Sequence, residues 1–194
     1  MRNAEFNRQE VLRLVMAAFM QKGYTKTSMQ DLSKASGLHP GSIYCAFENK
    51  RGLLLAALEQ YKQDQHIEFT CFFDGSRPIL CALKIYLDDI VSKFVDCDVD
   101  NGCLFTKTLN EIAGQDEEVR TIIVASLAAW QQALTDLFTQ AKLSGELVSL
   151  RESDHLARYL VMGIYGLRTF AQTQPGAKIL QQLADQLYDD LCGE

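Results

Sequence analysis

Apolar residues recur at a spacing near 3.6 along almost the whole of this 194-residue chain. That period puts them on one face of a helix, and no segment shows the strict alternation of a half-buried strand. Three prolines and twelve glycines give too little punctuation for a loop-rich or all-β design. The expected fold is all-α, with about nine helices.

Stripes and stop signals place these helices. The first runs from about Arg8 to Lys22, with Val11, Leu12, Val15, Ala18 and Phe19 on one face, and Gly23 stops it. Thr27 or Ser28 caps a short second helix with Met29, Leu32 and Ala35 inward, and Ser28 followed by Asp31 resembles a capping box. Gly37 ends that helix. Pro40 opens a third at a position where a first-turn proline is tolerated, reaching about Ala46. Asn49 caps a longer fourth through Leu53, Leu54, Ala57, Leu58 and Tyr61, ending somewhere in 63–73. A fifth follows Pro78 and runs to about Val95, and Asp96 to Gly102 reads as a turn. A sixth spans Cys103 to about Ile112, a seventh Asp116 to Leu143 and an eighth Ser153 to about Thr173. Pro175 and Gly176 separate the eighth from a ninth that ends near Leu191.

The net charge of −6 argues superficially against nucleic acid, but its distribution does not. Residues 1–62 hold nine Lys/Arg against five Asp/Glu, a balance of +4, while the remainder carries −10. A basic head on an acidic body is the asymmetry expected where one end meets phosphates. The cysteines at 45, 71, 81, 97, 103 and 192 form no CxxC pair and no zinc-finger spacing, so free thiols are expected and no metal or cofactor. Glu10 and Arg13 interrupt the apolar N-terminal stretch, and no run approaches the ~20 apolar residues of a membrane span. The expected location is cytoplasmic.

Between Thr25 and Leu55 two short helices flank a tight turn at Ala35 to Leu38, where Gly37 permits a positive φ. Met29, Leu32, Leu38, Ile43 and Phe47 form the small shared core. His39, Gly41, Ser42 and Tyr44 are left outward on the second helix, whose start is sized to enter a major groove. Small residues there let backbone approach DNA, while His39 and Ser42 reach base edges or phosphates and Tyr44 a phosphate. The helix starts at Ser28 and Asn49, with Lys26 and Lys50 beside them, suit phosphate. The DNA-contact set is Lys26, Thr27, Ser28, His39, Pro40, Gly41, Ser42, Tyr44 and Lys50.

This stretch closely resembles the TetR family. The residues that carry the resemblance are Phe19, Gly23, Thr27, Ser28, Leu32, Ala35, Gly37, Leu38, Gly41, Ser42, Ile43, Tyr44, Phe47, Lys50 and Leu53. The match is strong over about residues 8–60 and beyond that rests on size and helix count. Ser33 replaces the family's usual alanine, Cys45 and Ala46 stand where aromatic or histidine residues are common, and His39-Pro40 replaces a commoner Ser-Lys pair. The last change should alter operator preference. The resemblance implies a helix-turn-helix domain at 1–48 and a ligand-sensing and dimerisation domain at 49–194, linked by a helix from about 49 to 70. It also implies that the last two helices pair with their copies. Leu156, Tyr159, Leu160, Gly163 and Leu167 are the expected interface on one, with Ile179, Leu183 and Leu187 on the other.

An effector pocket is expected among the fourth to eighth helices. Its candidate residues are Cys103, Tyr86, Phe105 and Trp130, together with Met162, Tyr165, Arg168 and Phe170. Arg168 meets an anionic ligand or is a surface or interface charge, the latter being slightly favoured. Cys103, at the start of the sixth helix, resembles a cysteine of a TetR subset whose thiol responds to electrophiles or oxidants. A helix N-terminus favours the thiolate, Asp98 and Asp100 oppose it, and a plain buried core cysteine is the favoured reading. The expected function is a repressor that binds a palindromic operator as a homodimer. The resemblance implies that a small apolar or electrophilic effector releases it by tilting the fourth helix. No enzyme is expected, since His39, His66 and His155 lie apart and no nucleophile elbow is present. The competing readings are a helical protein-interaction adaptor and a thiol-dependent enzyme using Cys103.

Overall fold

The computed structural model describes residues 6–96, 103–112 and 114–193. Among these the chain forms nine helices and no strand: α1 (Arg8–Lys22), α2 (Met29–Ser36), α3 (Pro40–Phe47), α4 (Lys50–Phe72), α5 (Ile79–Asp96), α6 (Leu104–Ile112), α7 (Glu117–Leu143), α8 (Ser153–Ala171) and α9 (Ala177–Cys192). The differences from the expected bounds are small. α3 gains Phe47, α6 begins one residue after Cys103, and α8 stops at Ala171. Asp96 belongs to α5, and the rest of the turn expected up to Gly102 lies outside the described residues.

Packing divides the chain into two compact units, Met1–His66 with Asp100–Val124, and Ile67–Val99 with Ala125–Glu194. This division differs from one at residue 48, because the first half of α4, α6 and the start of α7 pack with the N-terminal helices.

In the first unit, Val11, Leu12, Val15, Met16 and Phe19 bury one face of α1, and Leu32, Ile43, Phe47, Leu53, Leu54 and Leu58 complete its core. Asn7 caps α1, its side chain accepting from Glu10 N. Arg13 forks onto Asp64 of α4 at 2.7 and 2.9 Å. α6 is tied to the end of α1. Lys107 Nζ donates to the carbonyls of Met20 and Gln21, which the last turn of α1 leaves unpaired. Glu111 accepts from Thr25 N at 2.9 Å. Arg51 at the start of α4 binds Asp116 at 2.6 and 2.9 Å and Glu118 at 2.6 Å. Asp116 also caps α7 by accepting from Val119 N.

The core of the second unit is built from Leu83 and Leu87 of α5, Leu134 and Phe138 of α7, Leu156, Leu160 and Ile164 of α8, and Leu180 of α9. α8 and α9 approach closely at Gly163, where an added Cβ would meet the Leu187 methyls at 2.4 and 2.6 Å.

Candidate nucleic-acid interface

The turn between α2 and α3 is set by local chemistry. Ser28 caps α2 by accepting from Asp31 N, and Asp31 accepts in return from Ser28 N, a complete capping box. Gly37 takes the left-handed conformation, φ 70° and ψ 3°, which a side chain would disfavour. Two serines then stitch the turn. The Ser33 hydroxyl donates to Leu38 O at 2.5 Å, and the Ser36 hydroxyl donates to Leu32 O while accepting from Leu38 N. Ser33, a departure from the family pattern, thus holds the turn at which α2 hands over to α3.

Pro40 occupies the first turn of α3, where its missing N–H costs nothing. Ile43 and Phe47 are buried and hold the helix to the head, leaving His39, Gly41, Ser42, Tyr44 and Cys45 exposed, with Pro40 half-buried. His39 Nδ1 accepts from Gly41 N at 3.2 Å. A neutral imidazole in that arrangement carries its proton on Nε2, an outward donor suited to guanine O6 or N7 or to phosphate. α3 ends at Glu48, a non-glycine residue at φ 65°. The chain then turns into α4 with so little clearance that a Cβ on Gly52 would lie 2.1 Å from Phe47 O.

The other candidate contacts divide. Lys26 is exposed. Thr27 is buried and its hydroxyl donates to Gly23 O at 2.6 Å, so its side chain is no outward contact. Thr27 is small enough to fold back onto the end of α1, and the sequence alone shows only its place beside a cap. The Ser28 N–H and hydroxyl both donate to Asp31 Oδ2, so the chain's own carboxylate occupies the expected phosphate position. Lys22 pairs with Asp31 and, with Ser28, holds that carboxyl well below the usual carboxylate range. Lys50 is half-buried over the Tyr24 ring at 4.3 Å. Burial pushes its ammonium below the ordinary lysine range, and Glu111 pulls it back. The Arg51, Lys107 and Glu111 contacts gave no sequence signal, because their partners lie from 65 to 87 positions away.

The expected effector residues are divided between the two units. Cys103, 7% exposed, and Phe105, edge-on to Tyr61 at 4.9 Å, belong to the first unit. Tyr86, Trp130, Tyr165 and Arg168 belong to the second. Met162 and Phe170, 60% and 41% exposed, sit on the outer side of α8. The reason is the helical period: Leu156, Leu160, Ile164 and Leu167 already fill the inward side. Asp98 and Asp100 lie outside the described residues.

The expected interface residues divide by their burial within the chain. Leu156, Leu160, Leu167 and Leu187 are buried in the chain's own core, and Gly163 packs on Leu187 of the same chain. Tyr159 is half-buried with its hydroxyl 3.3 Å from Asp190. Ile179 and Leu183 remain exposed at 45% and 43%.

A helical head that presents a short helix with His39, Gly41, Ser42 and Tyr44 exposed, behind a tight glycine turn, has the arrangement of a helix-turn-helix DNA-binding protein. Residues 12–57 match the family of bacterial regulatory proteins, tetR family, and residues 80–187 match the tetracyclin repressor-like C-terminal domain. The chain belongs to the TetR family. It is 26% identical over 180 residues to the HTH-type transcriptional repressor ComR of Escherichia coli, covering 92% of this chain and 86% of that protein. It is 26% identical over 176 residues to the transcriptional regulator AcuR of Cereibacter sphaeroides, covering 89% and 80%. A cysteine mutant of the TetR family regulator CifR, solved in complex with 26bp double-strand operator DNA, shares the fold at TM-score 0.84 and 22% identity, covering 97% of this chain and 98% of that one. Among the described residues no helix is long and apolar enough to cross a membrane.

Proposed function

We propose that this DNA-binding transcriptional repressor reads a palindromic operator as a homodimer, with α3 of each copy in the major groove. The observation that carries this reading is the exposed row His39, Gly41, Ser42 and Tyr44, held outward by buried Ile43 and Phe47. Gly41 and Ser42 let backbone approach the groove, His39 donates from Nε2, and Tyr44 and Lys26 meet phosphates. We place the functional divide near residue 48, with sensing and dimerisation assigned to the chain from residue 49 onward. The exposed apolar residues Met162, Phe170, Ile179 and Leu183 support a pairing surface on α8 and α9. Gly166, whose Cβ position faces open space, lets a second copy approach there. A small effector releases the repressor. The ties from Lys107 and Glu111 on α6 to the end of α1 are suited to pass a movement of α6 to the head.

Fluorescence anisotropy of the full chain on DNA from upstream of its own gene, across a salt series, tests the reading. The expected result is saturable, sequence-dependent binding that weakens steeply with salt, since phosphate contacts release counterions. Tyr44→Ala should weaken operator binding about tenfold, the equivalent of ~1.4 kcal/mol, with the oligomeric state unchanged. Equal weak binding to operator and random duplex would overturn the reading.

A further inference from the structure

Several cations of the reading head are engaged within the first unit. Arg13 forks onto Asp64 at 2.7 and 2.9 Å, and Arg51 onto Asp116 at 2.6 and 2.9 Å. Lys22 pairs with Asp31, and Lys50 lies half-buried over the Tyr24 ring. Arg8 is placed differently. It is exposed at the start of α1, and its guanidinium lies over the Phe47 ring, 4.7 Å from the ring centre. Phe47 is the last residue of α3 and only 5% exposed, so the ring is a fixed platform. A guanidinium that rests its flat face on a ring turns its N–H edge outward, and that edge matches two oxygens of a phosphate. The stack also orders the side chain beforehand, so less freedom is lost when a contact forms.

The place of the stack suits a duplex. From His39 to Phe47 the chain rises about 12 Å, at about 1.5 Å per residue. The major groove is also about 12 Å wide. With the start of α3 at the base edges, its far end stands at the groove wall, where the phosphates lie. Building on the major-groove placement of α3 proposed above, we infer that Arg8 is a phosphate-binding residue of the DNA complex, its guanidinium forked onto the backbone beside the end of α3. The contact carries no sequence information. It fixes the register of α3 and adds affinity for any duplex. Lys50, expected from the sequence to meet phosphate, is held over Tyr24, and Arg8 supplies charge at the other end of the α3–α4 corner.

Fluorescence anisotropy of the full-length protein tests the contact, on the duplex from upstream of its gene and on a random duplex, each across a salt series. Every phosphate neutralised contributes about 0.9 to the slope of log affinity against log salt. Arg8→Gln should lower that slope by about 0.9 per bound copy and weaken both duplexes by the same factor. Arg8→Lys keeps the charge and loses the flat stack, so it should keep the slope and bind with intermediate affinity. Arg13→Gln removes the same charge from a carboxylate-bound position and should leave the slope unmoved. Circular dichroism confirms that each variant is folded. An Arg8→Gln protein with an unchanged slope, a weakening confined to the upstream duplex, or an equal fall in slope for Arg13→Gln would overturn the proposal. The two duplexes separate this contact from the repressor reading. Sequence-dependent binding with a slope indifferent to Arg8→Gln fails the contact alone. Equal binding to both duplexes, with a slope that Arg8→Gln lowers, fails the operator reading alone.

Discussion

Gly52 and Gly166 show how differently two helical glycines act. A Cβ on Gly52 would lie 2.1 Å from Phe47 O, whereas one on Gly166 meets nothing within 4 Å. Backbone cannot step aside as a side-chain tip does, so Gly52→Ala should destabilise the head by roughly 1–3 kcal/mol. Thermal unfolding would register this as a clear loss. The same experiment on Gly166→Ala should show no loss within the chain, since alanine suits a helix interior better. Both residues look alike in the sequence, because only the fold brings Phe47 O against α4. The cysteines divide in a similar way. Cys45 is exposed on α3 and Cys103 is buried. A thiol needs access to react, so peptide mass mapping of briefly alkylated native protein should find Cys45 modified well before Cys103. Bulk on the reading face should then lower operator affinity by about tenfold, ~1.4 kcal/mol, and Cys45→Ser should resist that loss. Affinity unmoved by Cys45 alkylation would remove this face of α3 from the DNA contact.

At the scale of elements, most helix bounds were readable because each is written in adjacent residues. Asn7, Ser28 and Asn49 supply caps and Gly23 and Gly37 stops, all acting within four positions. The contacts that hold α6 and α7 against the head were not readable. Asp116 is the clearest case, since it caps α7 and binds Arg51 of α4. The Arg51 guanidinium holds its carboxyl down at about 2, against an ordinary 3.8. Asp64, held by Arg13, is lowered as well. A depressed carboxyl contributes stability that is whole above its unfolded value and is lost as pH falls through the folded one. That contribution should therefore disappear between about pH 4 and pH 2. Asp116→Asn keeps a capping oxygen but removes the charge, so it should lower the urea midpoint at neutral pH and flatten the acid limb. Asp116→Ala loses the cap too and should cost about 1 kcal/mol more. An Asn variant with an acid limb as steep as that of the unaltered protein would show that the ion pair contributes nothing to stability.

At the scale of the whole molecule, the pairing surface carries the sharpest consequence. If two copies meet through the exposed apolar residues of α8 and α9, Leu183→Glu should yield a folded monomer with weakened operator binding. Sedimentation would show this, and an unchanged dimer would place the interface elsewhere. Leu160, buried in the chain's own core, is a poor substitute because its replacement tests folding instead. The two cannot be told apart by sequence. Each helix carries an inner and an outer apolar stripe, and hydropathy does not say which one the chain consumes itself. The sequence by itself determined the all-α class, the positions of the helices and the exposed face of α3. Those depend on period, caps and turns that act over a few residues. Only the tertiary structure decided that the Thr27 hydroxyl turns back onto Gly23 O, that Gly163 serves the chain's own α8–α9 contact, and that the Arg168 guanidinium lies over the Phe94 ring. Such outcomes depend on which distant residues meet, and burial and pairing at a distance leave no trace in local spacing.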